Sequence, residues 1–119
     1  MGLVRVTVEI ANPQDGSRSQ TVRNALVDTG ASKTLLPRSI ADELQLPVVG
    51  TANVRTVDGH SDVDQCQAIL RIQGRQTYHE VFVSDTYPGV LIGVLTLESL
   101  GFVVDPKRDR LVSEEFLLL

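Results

Sequence analysis

Short segments of alternating apolar and polar residues, each followed by a turn signal, occupy most of this sequence. In residues 4–10 every second residue is Val or Ile, which is the pattern of a strand with one buried face. A turn is predicted at residues 12–17, where Asn, Pro, Asp and Gly cluster, and a return strand at residues 20–27. Short strands with turns every roughly 8 to 12 residues predict a mostly β fold closed into a small barrel.

Two further pairs of strands are predicted from the same alternation of apolar and polar residues around a turn signal. Residues 54–63 alternate on either side of Asp58 and Gly59, a dipeptide that favours tight hairpins. Residues 67–73 and 77–83 form the next predicted pair. The core residues predicted for this second pair are Ile69, Val81 and Val83.

Two short helices are expected among the strands. The first begins after Pro37 and ends before Pro47. The residues at helical spacing in it are Ile40, Ala41 and Leu44. The second is predicted at Val94–Leu100, where Gly101 stops it. A last hairpin, with its turn in the middle of residues 102–112, follows this helix.

The composition fits a single globular domain over residues 1–119. With 119 residues, of which 42% are hydrophobic and 22% charged, the chain can form one core but not two lobes of about 100 residues each. Asp and Glu outnumber Lys and Arg by 15 to 11, and this negative balance argues against a nucleic-acid partner. The single cysteine, Cys66, cannot form an internal disulfide, which favours a cytoplasmic location. No apolar run reaches membrane-spanning length, so no membrane partner is expected.

The segment that carries chemistry is Asp28-Thr29-Gly30-Ala31-Ser32, which follows an apolar run directly. A carboxylate therefore stands where a buried strand turns. One carboxylate accepts or donates a proton but cannot do both in one step. Two carboxyl groups within hydrogen-bond distance do not both ionise, so one of them serves as base and the other as acid. A segment of this kind needs a second carboxylate to catalyse hydrolysis.

A second motif, Val90-Leu91-Ile92-Gly93, precedes the second predicted helix. In this order and at this spacing, the two motifs resemble those of the retropepsin-like branch of the aspartic peptidases. The resemblance extends over most of the chain and implies a small closed β-barrel with one helix near its C-terminal end. It also implies that Leu91, Ile92 and Gly93 pack beside the loop that carries Asp28.

The resemblance assigns roles within the first motif. Asp28 is the implied catalytic residue, and Thr29 is expected to hydrogen-bond across a dimer at the base of the site. Gly30 lets backbone amides approach the carboxylates, because it has no side chain. Ala31 and Ser32 complete the supporting loop.

By the same resemblance, the hairpin around residue 58 is a flap that closes over substrate. Its predicted tip and substrate-binding residues are Val57, Asp58, Gly59 and His60. Gly59 would allow backbone contact with a bound peptide, which adds to the protein as a strand. The hairpin lacks the several glycines of viral flaps, which predicts lower mobility.

The sequence contains one Asp-Thr-Gly triplet, so the second catalytic carboxylate is expected from a second copy of the chain. We therefore predict a homodimer that hydrolyses peptide bonds in peptide or protein substrates. Water would be activated between the two Asp28 carboxylates, without cofactor or metal. Viral members commonly carry an Asp and an Arg where this chain has Ser32 and Val94. Their joint absence points to a cellular or bacterial member of the group.

Other interpretations of the same residues stay open. Asp28-Thr29-Gly30 alone is also a common turn sequence. Cys66 and His79 suggest a thiol nucleophile with its base, but a core cysteine and a surface histidine are the favoured interpretation. The alternative functions are a non-catalytic peptide-binding or dimerisation module with this fold, and an unrelated β-barrel interaction domain. The apolar residues 116–119 are interpreted equally as dimer interface, cut end or flexible tail.

Overall fold

A computed structural model describes residues 3–57 and 59–114. These residues form nine strands and two short helices. The strands are β1 (Val4–Asn12), β2 (Asp15–Val27), β3 (Leu35–Pro37), β4 (Val48–Thr56), β5 (Gly59–Ile72), β6 (Arg75–Ser84), β7 (Leu91–Ile92), β8 (Phe102–Asp105) and β9 (Arg110–Ser113). The helices are α1 (Arg38–Glu43) and α2 (Val94–Leu100). The predicted mostly β fold with two short helices is confirmed.

The main sheet closes on itself. Its strands pair in the order β1, β2, β7, β3, β6, β5, and β5 then pairs back to β1 through Ile10 and Leu70. Strand β4 extends the sheet beyond β5 as the outer arm of a hairpin. Two of the pairings are parallel, β2 with β7 and β3 with β6. Strands β8 and β9 form a separate two-stranded sheet.

The core lies inside this ring, and the period of two along each strand decides which residues enter it. In β1, the four aliphatic residues predicted to share a face are all buried. In β6, Val81 and Val83 are fully buried, as predicted. The prediction for Ile69 is wrong, because this residue is only half-buried. The fully buried residues of β5 are its neighbours in the alternation, Ala68, Leu70 and Ile72.

The first hairpin is longer than its sequence indicated. Strand β2 begins at Asp15, not at Gln20, and the turn contains only Pro13 and Gln14. The side chain of Asn12 shapes this turn, because its Oδ1 accepts a hydrogen bond from the Gln14 N–H at 2.8 Å. Residues 15–19 are exposed, so they pair as a strand without the apolar alternation that marks a buried face.

Both helices start where the sequence predicted and α2 also ends there, but α1 ends at Glu43, before the predicted stop at Leu46-Pro47. Pro37 precedes α1, and its buried side chains are Ile40 and Ala41, with Leu44 buried just after the helix. Helix α2 lies between Gly93 and Gly101, and Gly101 adopts the left-handed conformation at φ 76° that favours glycine. No helix within the described ranges is long and apolar enough to cross a membrane. The apolar residues 116–119 lie outside the described residues.

Candidate active site

Asp28 lies at the end of β2, where the chain leaves the barrel in a tight loop. Its backbone N–H donates to the carbonyl oxygen of Ile92 at 3.0 Å, which extends the parallel pairing of β2 with β7 by one residue. The Gly30 N–H donates to Asp28 Oδ1 at 2.8 Å, and the Ala31 N–H donates to the Asp28 carbonyl oxygen at 3.2 Å. The loop therefore folds around the Asp28 carboxylate, and the Gly30 N–H of the same loop holds one of the two carboxylate oxygens.

Helix α2 holds the rest of this loop. The Val94 N–H donates to the Ala31 carbonyl oxygen at 2.8 Å, and the Leu95 N–H donates to the Ser32 carbonyl oxygen at 3.1 Å. These amides belong to the first turn of α2, where no intrahelical partner exists for them. The two sequence motifs thus lie side by side. The second motif supplies the strand that pairs with the first, and it leads directly into the helix start that holds the loop.

The loop ends at Thr34, whose side chain is completely buried. Its Oγ1 accepts a hydrogen bond from the Gly93 N–H at 3.1 Å and lies 2.5 Å from Oγ1 of Thr96, which is also fully buried. Thr96 Oγ1 lies in turn 3.0 Å from Nε2 of His79 on β6. The expectation of a surface histidine at position 79 is therefore wrong, because this ring is half-buried and joins a polar chain to the loop.

A cleft of about 1050 Å³ opens beside the loop, and Asp28 is one of its lining residues. Its apolar wall comes from four parts of the barrel, which are β3, the β4–β5 hairpin, β6 and β7. The apolar lining residues are Leu35, Val54, Val57, Val63, Phe82 and Leu91. Gly30, Ala31 and Ser32 also reach the cleft, whereas Thr29 is exposed and does not line it.

The predicted flap is a hairpin, formed by β4 and β5 and closed between Thr56 and Gly59. Gly59 has φ 116°, a conformation that residues with a side chain rarely adopt. Val57 is fully exposed and lines the cleft, whereas Gly59 and His60 do not line it. The His60 ring instead lies against Asn53, with Nδ1 3.0 Å from the side-chain oxygen. Asp58 lies outside the described residues.

Two further carboxylates line the cleft, and both have partners. Arg38 donates from Nε to Asp85 Oδ1 and from a terminal nitrogen to Asp64 Oδ2, each at 2.9 Å. These hydrogen bonds to Arg38 lower the pKa of Asp85. Asp62 accepts a hydrogen bond from Asn53 Nδ2 at 3.0 Å. The ion pairs of Arg38 with Asp64 and Asp85 join residues that are far apart in sequence, and no local sequence pattern predicted them.

Cys66 does not resemble a nucleophile. Its side chain is only 1% exposed, and burial raises the pKa of the thiol. The interpretation of Cys66 as a core residue is confirmed. Among the described residues, no group of three or more His, Cys, Asp or Glu side chains is placed to hold a metal ion.

The sequence profile of the aspartyl protease family matches residues 6–110, and the chain belongs to this family. Among solved structures, its fold is similar to that of the EIAV protease in complex with the inhibitor HBY-793, with a TM-score of 0.66 and 18% sequence identity. The match covers 98% of this chain and 94% of the EIAV chain. The fold is therefore retropepsin-like, as the two motifs predicted. No curated protein sequence is detectably similar to the chain.

Proposed function

We propose that this chain is an aspartic endopeptidase that acts as a homodimer, with one Asp28 carboxylate from each copy. The observation that carries the proposal is the position of Asp28, in a rigidly held loop at the wall of a large open cleft. Family membership supports peptide-bond hydrolysis as the reaction.

The other carboxylates that line the cleft already have hydrogen-bond partners, which supports a second copy of the chain as the source of the second catalytic carboxylate. Asp85 is paired with Arg38, which stabilises its charged form, so it is a poor proton donor for a dyad. Asp62 accepts a hydrogen bond from Asn53 on the β4–β5 hairpin. A symmetric pair of Asp28 residues supplies two equivalent carboxylates, as a two-fold axis requires.

In the proposed reaction, the charged carboxylate of the pair removes a proton from a water molecule as the water oxygen attacks the peptide carbonyl carbon. The neutral carboxyl group donates a hydrogen bond to the carbonyl oxygen, where negative charge develops. Each carboxylate also accepts a hydrogen bond from the Gly30 N–H of its own copy, which holds one of its oxygens in place. A proton then passes to the departing amine as the C–N bond breaks.

The cleft supports an extended peptide as substrate. The β4–β5 hairpin borders the cleft, and a peptide can pair with exposed backbone groups of such an element. Leu35, Phe82 and Leu91 line the cleft as half-buried side chains, which favours apolar residues next to the cleaved bond.

The test is cleavage of a peptide library between pH 3 and pH 8 by the wild-type chain and by Asp28→Asn, both shown to be folded and dimeric. We expect turnover on the acid side with a bell-shaped rate profile, and none with Asp28→Asn. Peptide binding without turnover in the wild type would instead support a binding module. Equal turnover by both proteins would exclude Asp28 as the catalytic residue.

A further inference from the structure

A chain of hydrogen bonds links the catalytic loop, through a threonine of helix α2, to a histidine on β6. It runs from the Gly93 N–H through the hydroxyl groups of Thr34 and Thr96 to the ring of His79. Both threonine side chains are 0% exposed, so each hydroxyl proton needs an acceptor within the protein. The direction of every bond in the chain follows from this requirement.

The ring of His79 sets that direction. Its Nδ1 lies 2.8 Å from the carbonyl oxygen of Glu80, which can only accept, so Nδ1 carries a proton. In the neutral ring Nε2 is then an acceptor, and Thr96 donates its hydroxyl proton to it. Thr34 donates to Thr96, and its own oxygen accepts the Gly93 N–H. Each group in the chain has a partner of the correct type.

Loss of the acceptor at Nε2 would disturb the whole chain. Without it, the Thr96 proton must turn to Thr34, whose oxygen already accepts from Gly93. The Thr34 proton would then lose Thr96 as its acceptor. Thr34 ends the loop that Asp28 begins, and its carbonyl oxygen also accepts the Phe82 N–H at 2.9 Å. The histidine is therefore connected, through two buried threonines, to the residue that ends this loop.

From this geometry we infer that His79 is a positioning residue for the catalytic loop, which it acts on through Thr96 and Thr34. The expected effect of His79 on activity rests on the proposed function, because the loop matters for activity only if Asp28 is catalytic. Its structural part, a neutral ring with an acceptor at Nε2, is independent of activity.

The first test is the tautomer of His79 in the folded wild-type chain, read from long-range ¹H–¹⁵N correlation spectra at pH 8. We expect the proton on Nδ1 and an unprotonated Nε2. A proton on Nε2 would overturn the inference, because Nε2 would then donate to Thr96 and reverse the chain.

The second test is amide hydrogen exchange at Gly93 in three variants. His79→Leu removes the acceptor, and we expect the Gly93 amide to exchange at least about tenfold faster. His79→Gln retains an acceptor oxygen and is expected to restore most of the protection. The matched control is Thr77→Val, which removes the 2.5 Å hydroxyl contact of Thr77 with Ser99 between the same strand and helix. Equal effects in His79→Leu and Thr77→Val would overturn the inference, since α2 docking alone would then explain them.

The third test is peptide hydrolysis. We expect His79→Leu to lower kcat by about tenfold with KM within about twofold of wild type, and His79→Gln to recover most of kcat. An unchanged kcat in folded His79→Leu would overturn the positioning role. If the wild-type chain shows no turnover, the proposed function fails, and the tautomer and exchange results decide the structural part of the inference.

Discussion

Gly93 and Lys33 pack backbone against backbone. A β-carbon added at Gly93 would lie 2.4 Å from the Lys33 carbonyl oxygen and 2.8 Å from its nitrogen, closer than real side chains approach. Gly93 has φ −88°, a value that any residue can adopt. Glycine is required at this position because there is no space for a side chain, and not because of the backbone conformation. This contact brings the start of α2 against the loop that carries Asp28 and explains why the second motif ends in glycine.

We expect Gly93→Ala to destabilise the fold by about 3 kcal/mol, because neither backbone can move without breaking the bonds between α2 and the loop. Urea unfolding measures the difference. The control is Gly16→Ala, whose added β-carbon meets no atom within 4 Å and whose expected change is within about 0.5 kcal/mol. Equal stability of the two variants would show that the loop and helix are not packed this closely.

Gly59 in the β4–β5 hairpin and Gly74 in the β5–β6 turn form a second matched pair of glycines. Gly59 and Gly74 both close hairpins, with φ 116° and 80°, and an added β-carbon meets nothing within 4 Å at either site. We expect Gly59→Ala and Gly74→Ala each to cost about 1–3 kcal/mol through backbone strain. Only Gly59→Ala should raise KM for peptide, since its hairpin borders the cleft. An unchanged KM would mean that this hairpin does not contact substrate.

The Arg38 bridge makes part of the stability depend on pH. Arg38 lowers the pKa of Asp85 below its ordinary value of 3.8, so the folded chain binds fewer protons there than the unfolded chain. This contribution is complete above pH 3.8 and is lost as pH falls through the lowered pKa. The stability difference between wild type and Arg38→Met should therefore be larger at pH 7 than at pH 2, and smaller in high salt.

The control for this prediction is Arg18→Met. The pKa of Asp15 is also lowered, but the main cause is its hydrogen bonds from Ser17, with Arg18 contributing less. We expect the pH dependence of Arg18→Met to stay close to that of wild type. A difference between wild type and Arg38→Met that does not change with pH would contradict the assigned cause.

The sequence predicted those parts of the fold that depend on local patterns. Alternation placed the buried face of β1, Pro37 placed the start of α1, and Gly101 placed the end of α2. The two motifs identified a loop and a helix that meet across more than 60 residues of chain, because a resemblance to a known family supplied the pairing. Around Ile69, the sequence pattern predicted a strand but not which of its two faces is buried. Leu70 is equally apolar, and it is the residue that enters the core.

What the sequence could not show are contacts between distant polar residues. Thr34 and Thr96 are each unremarkable in sequence, and only the parallel pairing of β2 with β7 brings α2 and its threonine to the loop. The same holds for Arg38 and Asp85, which approach because β3 pairs in parallel with β6. Parallel pairings have no turn between their strands, so no local signal predicts them.

Mixed dimers show whether two Asp28 residues act together across a dimer, as proposed. Wild-type chain and Asp28→Asn are unfolded, mixed in equal amounts and refolded together, and peptidase activity is measured at constant total protein. If both carboxylates are needed, only wild-type pairs are active, and random pairing leaves about a quarter of the wild-type activity. Activity of about a half would contradict the account, because each Asp28 would then act alone.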